Sequence, residues 1–168
     1  TRLSIVGINK GDQPLYNEDK SIILICNGEI YNFKSLRDKL ILKGHTFQTE
    51  SDNEVIIHLY EEYGFDHVEY LEGMFSYVLL DTKSDQLYLA RDRLGIKPIF
   101  IYIEDSLILA SSEIKSIISH KMVSTFLDHQ AIYDLFTFGY NIGSTTSFKN
   151  VYNFTPGSYS VYDLKKDK

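Results

Sequence analysis

ILICNGEIYN, residues 23–32, holds the chain's only cysteine, Cys26, directly before Asn27-Gly28-Glu29. The run from Ser21 to Cys26 is continuous, β-branched and of strand length, which suggests a strand buried on both faces. Asn-Gly then breaks it. Such a pair usually turns a hairpin, but here the residues that follow carry a helical pattern. That switch, from a doubly buried strand into a helix, sets the fold class.

The same two signatures recur outward from it. Residues 32–44 read as a helix, with Phe33, Leu36 and Leu40 on one face, Asn32 as cap and Gly44 as stop. Residues 45–50 read as a short strand. Residues 51–64 form a second helix, with Ser51 and Glu54 at capping-box spacing and a buried stripe of Val55, Ile56, Leu59 and Tyr63. From residue 73 strands take over: 73–81, 86–92, 97–103 and 106–111, in close succession like a meander of hairpins. Residues 111–120 and 128–139 are helical, and 155–164 hold a Pro-Gly turn and a last strand. Upstream, residues 2–8 read as a short strand and 11–19 as a loop. Strands with two buried faces between helices give α+β in layers, two packed sheets with helices outside.

The bulk numbers exclude several function classes. The 168 residues fit one domain, 43% of them hydrophobic and 14% aromatic, a folded composition. A net charge of −6 argues against a nucleic-acid surface. One cysteine makes no internal disulfide, no apolar run is long enough to span a membrane, and the N-terminus lacks a signal layout. A cytoplasmic protein with neither membrane nor nucleic-acid partner is expected.

Few residues can carry chemistry. Cys26 ends an apolar strand without a neighbouring base or cation, so it reads as a small hydrophobe rather than a nucleophile. Thr1 would be a nucleophile only as a true N-terminal residue using its own amine. Asn27 and Gly28 can aim a side-chain amide and a backbone N–H at one oxygen, as an oxyanion hole requires. Glu29 offers an acceptor for a ligand amine. Arg2 suits a carboxylate and Asp52 an ammonium, so together they would recognise a free amino acid. Asp52 could equally serve a helix start, although Ser51 already fits as the cap. Residues 90–98 are dense in charge and read as an ion-pair network fixing a turn. No phosphate loop, dinucleotide motif or metal-ligand spacing is present, and the five histidines are scattered.

RLSIVG, NGEIYN, SDNEVI, LEGMFSYVLLD, ARDRLGIKPIF and ASSEIKSI occur in one order. In that order they resemble the class II glutamine amidotransferase domain of glutamine-hydrolysing asparagine synthetases over nearly the whole chain. The resemblance implies the αββα sandwich of N-terminal nucleophile hydrolases, incomplete at the N-terminus. Residues 1–168 would be a single domain, with about 155–168 leading toward a synthetase domain. It implies an N-terminal cysteine that attacks the glutamine amide through a thioester, and ammonia that passes to a C-terminal domain activating aspartate with ATP. By motif, Arg2 would bind the glutamine carboxylate. Leu3, Ile5 and Val6 would line the pocket, Asn27 and Gly28 would form the oxyanion hole, and Glu29 and Asp52 would hold the amine. No metal or cofactor is expected in this domain, with ATP and Mg²⁺ belonging to the synthetase half. L-Glutamine and that half are the expected partners, and a homodimer is open to the full enzyme.

The family's nucleophile precedes RLSIVG by several tens of residues, so the sequence reads as an interior piece, inactive alone and prone to instability or self-association. The other readings are a non-catalytic amino-acid-binding or scaffold domain, an amidotransferase with another acceptor, and a threonine hydrolase using Thr1.

Overall fold

The computed structural model describes residues 12–104 and 107–166; the expected first strand at residues 2–8 lies outside them. Eight strands and four α-helices follow in order. They are β1 (Leu15–Tyr16), β2 (Ile22–Ile30), α1 (Phe33–Leu42), α2 (Glu54–Tyr63), β3 (Gly73–Asp81), β4 (Gln86–Arg91), β5 (Phe100–Glu104), β6 (Leu107–Ser111), α3 (Ile114–Ile118), α4 (His129–Phe138), β7 (Val151–Asn153) and β8 (Tyr159–Asp163), with a 3₁₀ helix, Gly64–Tyr70, after α2.

The strands form two antiparallel sheets, β1-β2-β3-β4-β8 and β6-β5-β7. Three apolar layers hold them. Leu36 and Leu40 of α1 and Val55, Ile56 and Leu59 of α2 pack on Leu24, Ile30, Phe75, Tyr77 and Leu79 of the first sheet. Leu89, Ile99, Ile101 and Phe154, with Val78, Leu87 and Tyr162, fill the space between the sheets. Tyr102, Ile117, Val123 and Val151 close the outer face of the second sheet. This is the expected four-layer αββα sandwich.

Several local expectations change. The strand at Ile22 is not broken by Asn-Gly; it runs through to Ile30, paired with β3 along its whole length. Gly28 is what permits this. A Cβ there would sit 2.3 Å from the Met74 carbonyl oxygen and 2.6 Å from Phe75 Cα, so only glycine tolerates the close approach of β3. The strand is buried on one face only: Ile22 and Leu24 point to the helices, whereas Ile25 on the other face is 57% exposed. The layer between the sheets draws on β3, β4 and β8 and stops short of β2.

Residues 45–50 form no strand. Their N–H groups go to side chains instead: Gln48 and Thr49 donate to Glu54, at 2.6 and 2.8 Å, and Thr46 donates to Glu18. The expected capping box is therefore absent, since Glu54 reaches Gln48 and Thr49 rather than Ser51, and Asn53 is the N-cap. Asn32 caps α1 by position only; its side chain bridges Tyr70 and Glu72.

The meander also splits. β3–β4 and β5–β6 are hairpins, but β4 and β5 lie in different sheets. The charge-rich segment between them is the crossover, and backbone hydrogen bonds rather than ion pairs fix it. Buried Asp92 accepts from the N–H groups of Phe75, Leu94, Ile96 and Lys97. Arg91 donates to the carbonyls of Gly95, Lys97 and Phe154 and to Asn153 Oδ1. Those backbone donors hold the Asp92 carboxyl below its ordinary value, outweighing the burial that would raise it.

Candidate functional site at the edge of the β2 strand

Antiparallel pairing makes successive residues of β2 point their N–H and C=O groups alternately toward β3 and away from it. The phase is fixed at three places. Cys26 is turned away from β3: its N–H donates to Gln13 Oε1 at 2.8 Å and its carbonyl accepts from Gln13 Nε2 at 2.7 Å. Ile30 is turned the same way, donating to Asp52 Oδ2 at 2.7 Å. Tyr31 is turned toward β3, donating to the Glu72 carbonyl. Gly28 lies midway between Cys26 and Ile30, in the same phase. Its partner across the sheet, Phe75, correspondingly spends its N–H and C=O on Asp92. The Gly28 N–H therefore points away from β3, off the edge of β2 that among the described residues is paired only by β1 at Ile23 and Leu24.

The start of α2 docks against β2 on both sides of Gly28. Asn53 Oδ1 accepts from Cys26 Sγ at 3.4 Å, and Asp52 takes the Ile30 N–H. Asp52 is 3% exposed and has no ion pair with another described residue. Burial raises its carboxyl above the ordinary value. Bonds from the Ile30 and neighbouring backbone N–H groups work against this, and the charge of Glu29 adds to the rise. Glu29 is likewise without a cation among the described residues. Two carboxylates within electrostatic reach of one another, one of them buried and neither with a cation among the described residues, form a place where an ammonium is favoured.

Asn27 lies on the opposite face of β2 from Cys26, exposed at the rim between the sheets. Its Nδ2 donates to Ser112 Oγ, just past β6, at 3.3 Å. An amide nitrogen carries two hydrogens, so one remains for a ligand. Cys26 is buried on the helix side. Burial pushes its thiol far above the ordinary value, and the Asp52 charge adds to this, so it is inert as a nucleophile.

Of the residues singled out by sequence, Asn27, Gly28 and Glu29 follow one another on β2, and Asp52 is tied to the end of that strand through the Ile30 N–H; the Asn27 side chain lies on the opposite face, against Ser112. Arg2, Leu3, Ile5, Val6 and Thr1 lie outside the described residues. Gln13 and Ser112 went unnoticed in the sequence. Each acts through a contact with β2 made from far along the chain, by Gln13 on the Cys26 backbone and by Ser112 on the Asn27 amide, and neither carries a local signal. The missing Cβ of Gly28 serves the packing of β3 as well as leaving the edge open.

The family model described as a glutamine amidotransferase domain matches residues 1–168. The glutamine-hydrolyzing asparagine synthetase of Zea mays is 52% identical over 117 residues, 69% of this chain and 20% of that protein. Asparagine synthetase 2 of Bacillus subtilis (strain 168) is 44% identical over 168 residues, covering 97% of this chain and 22% of its own length. The chain thus spans about a fifth of the length of these curated relatives. Among solved structures, glutamine phosphoribosylpyrophosphate amidotransferase from B. subtilis, complexed with ADP and GMP, superposes with a TM-score of 0.54 at 25% identity, over 63% of this chain and 25% of that one.

Proposed function

Because the chain belongs to the glutamine amidotransferase domain family, we propose that the β2–α2 corner binds L-glutamine and presents its side-chain amide for attack. Asp52 and Glu29 take the α-ammonium. Arg2 takes the α-carboxylate by a two-pronged contact, and Leu3, Ile5 and Val6 line the aliphatic stem. The Gly28 N–H and the second Asn27 Nδ2 hydrogen receive the oxygen that turns negative when the amide carbon becomes tetrahedral. A donor of this kind is worth roughly 10²–10³ in rate. Cys26 is the chain's one cysteine and is buried, so an attacking thiol has to come from residues outside these 168. The chain as it stands then binds glutamine without hydrolysing it.

The observation that supports this reading is the pair of carboxylates, Asp52 and Glu29, that have no cation among the described residues and lie beside the Gly28 N–H turned away from β3. Calorimetric titration with L-glutamine tests it. Asp52→Asn and Glu29→Gln should each weaken binding at least tenfold, since removing one partner of a buried charge contact costs about 2 kcal/mol or more. Unchanged affinity in both variants would overturn the site. Ammonia release from glutamine that falls on Asn27→Ala would overturn the absence of turnover.

For the whole protein we take the acceptor to be aspartate, activated by ATP and Mg²⁺ in a C-terminal synthetase domain in the cytoplasm. The names of the relatives at 44–57% identity support this. An acceptor of another kind is the second reading, favoured by the likeness to a phosphoribosylpyrophosphate amidotransferase. Adding the donor domain to either acceptor system and identifying the amidated product separates the two.

A further inference from the structure

Far from β2's open edge in sequence, three segments converge on one cluster. Glu18 lies in the loop after β1, His45 follows α1, and His58 stands in α2. Each offers one ligand atom, and the three atoms lie within 4.8 Å of one another. Glu61 joins them: its Oε2 is 2.8 Å from His58 Nδ1 and 3.3 Å from His45 Nδ1.

From this geometry we infer that Glu18, His45, His58 and Glu61 form a structural zinc site. Two imidazole nitrogens and two carboxylates are a donor set suited to Zn²⁺, and the pair of imidazoles disfavours Mg²⁺ and Ca²⁺. Arms of ~2.0–2.1 Å place tetrahedral ligands about 3.3–3.4 Å apart. The Glu61–His45 contact matches that spacing and the Glu61–His58 contact is shorter; Glu18, within 4.8 Å of the histidines, would move inward to complete the shell.

The surroundings are those a bound metal requires. Metal-bound histidines characteristically aim their second nitrogen at a carboxylate, which fixes the ring. His45 Nε2 meets this, 3.0 Å from Glu62 Oε1, whereas His58 Nε2 is 3.8 Å from Glu54 Oε1, beyond hydrogen-bond distance. The His58 side chain is buried, and its Nε2 has no hydrogen-bond partner. Glu54 is itself held by Gln48 and Thr49, and Glu61 Oε1 by Asn17 Nδ2 at 2.9 Å.

No ligand comes from the glutamine corner, so the role is structural. The metal ties the β1 loop and the segment after α1 to helix α2. Glu18 follows β1, and Gln13, which clasps Cys26 beside Gly28, lies just before that strand, so the clamp steadies the edge of the candidate site through β1. The inference holds whether or not glutamine is the ligand there.

The test is calorimetric titration of the chelator-treated chain with Zn²⁺, alongside visible absorption on adding Co²⁺. Saturable binding of one Zn²⁺ per chain is expected, with Co²⁺ bands of tetrahedral intensity and no competition from millimolar Mg²⁺. His45→Gln should weaken binding at least tenfold, and His120→Gln should leave it unchanged. Glu18→Gln, at an exposed position, is the second variant should His45→Gln not fold, and the same loss is expected. Absence of saturable binding, or affinity unaltered in the folded ligand variants, would overturn the site.

Discussion

On the proposed reading Asp52 bears two conflicting demands. It would have to stay charged to hold an ammonium, yet it is buried near Glu29 with no cation partner among the described residues. The Asn side chain keeps an acceptor for the Ile30 N–H and removes the unpaired charge, so Asp52→Asn should raise Tm while glutamine affinity falls. A gain on the order of 1 kcal/mol would appear as roughly 2–4 °C; a lower Tm in differential scanning calorimetry would contradict the argument. His67 poses a separate titration. It is buried, its Nδ1 donates to the Gly64 carbonyl at 2.8 Å, and its Nε2 accepts from Tyr77 OH at 2.7 Å. Burial pushes its pKa down to about 4 from 6.5, with the Gly64 bond opposing the fall. Between those values the unfolded chain binds more protons than the folded one. Stability from this residue is therefore intact above pH 6.5 and is lost as the pH falls toward 4. By pH 5 the loss should be about 2 kcal/mol, and urea melts of the wild type and His67→Gln should show it vanishing in the variant. Parallel pH dependences in the two proteins would refute the assignment. At this scale residue type alone singles out Asn27, Glu29 and Asp52 as candidates. For Arg91 and Asp92 charge density suggests an ion-pair network, whereas most of their partners are backbone groups brought near only by the fold.

Among the elements, β3, β4, β6 and α4 were legible because each carries its own apolar pattern between turn residues. Their assignment to sheets was not. The segment from Arg91 to Pro98 resembles a hairpin turn, yet it carries the chain from one sheet to the other. What makes it a crossover is the four N–H groups gathered by one carboxylate, Asp92, at 3.0–3.2 Å. Gly95 helps, with φ of +64° and no room for a Cβ beside Pro156. Asp92→Ala would strand all four donors in a buried place, at a cost of about 3–5 kcal/mol. Asp92→Asn, which keeps an acceptor, should cost less. Equilibrium urea denaturation of the two variants checks the order, and an alanine variant as stable as the asparagine one would show that the crossover is held by something else. Likewise the strand expected at residues 45–50 failed for a reason invisible locally: Glu54, expected to close a capping box, takes the N–H groups that a neighbouring strand would have needed.

Across the whole molecule, apolar surface is unevenly covered. Helix α4 buries only Ala131 completely. Tyr133 and Phe136 stand three residues apart on its outer side, both exposed, with Phe136 at 85%, and Phe138, Tyr140 and Phe126 are exposed as well. Ile25, on the open face of β2, is a separate exposed apolar residue at 57%. Contiguous apolar patches of this kind are uncommon on monomers and mark contact surfaces. The layered periodicity of the sequence foretold two sheets and outer helices, but it did not say which helix would lack a neighbour, because an amphipathic pattern records only that a face exists. The chain at tens of micromolar should therefore self-associate, and analytical ultracentrifugation should show a weight-average mass rising with concentration. Phe136→Lys places a charge in the middle of the α4 stripe without touching the core. It should shift the association to at least tenfold higher concentration and leave Tm within about 2 °C of the wild type, since surface changes away from packed contacts usually cost less than ~0.5 kcal/mol. A single monomeric species across the concentration range would mean that these aromatics shield one another within the chain. An unchanged association in Phe136→Lys would shift attention from α4 to the open face of β2, where Ile25→Thr would be the corresponding probe.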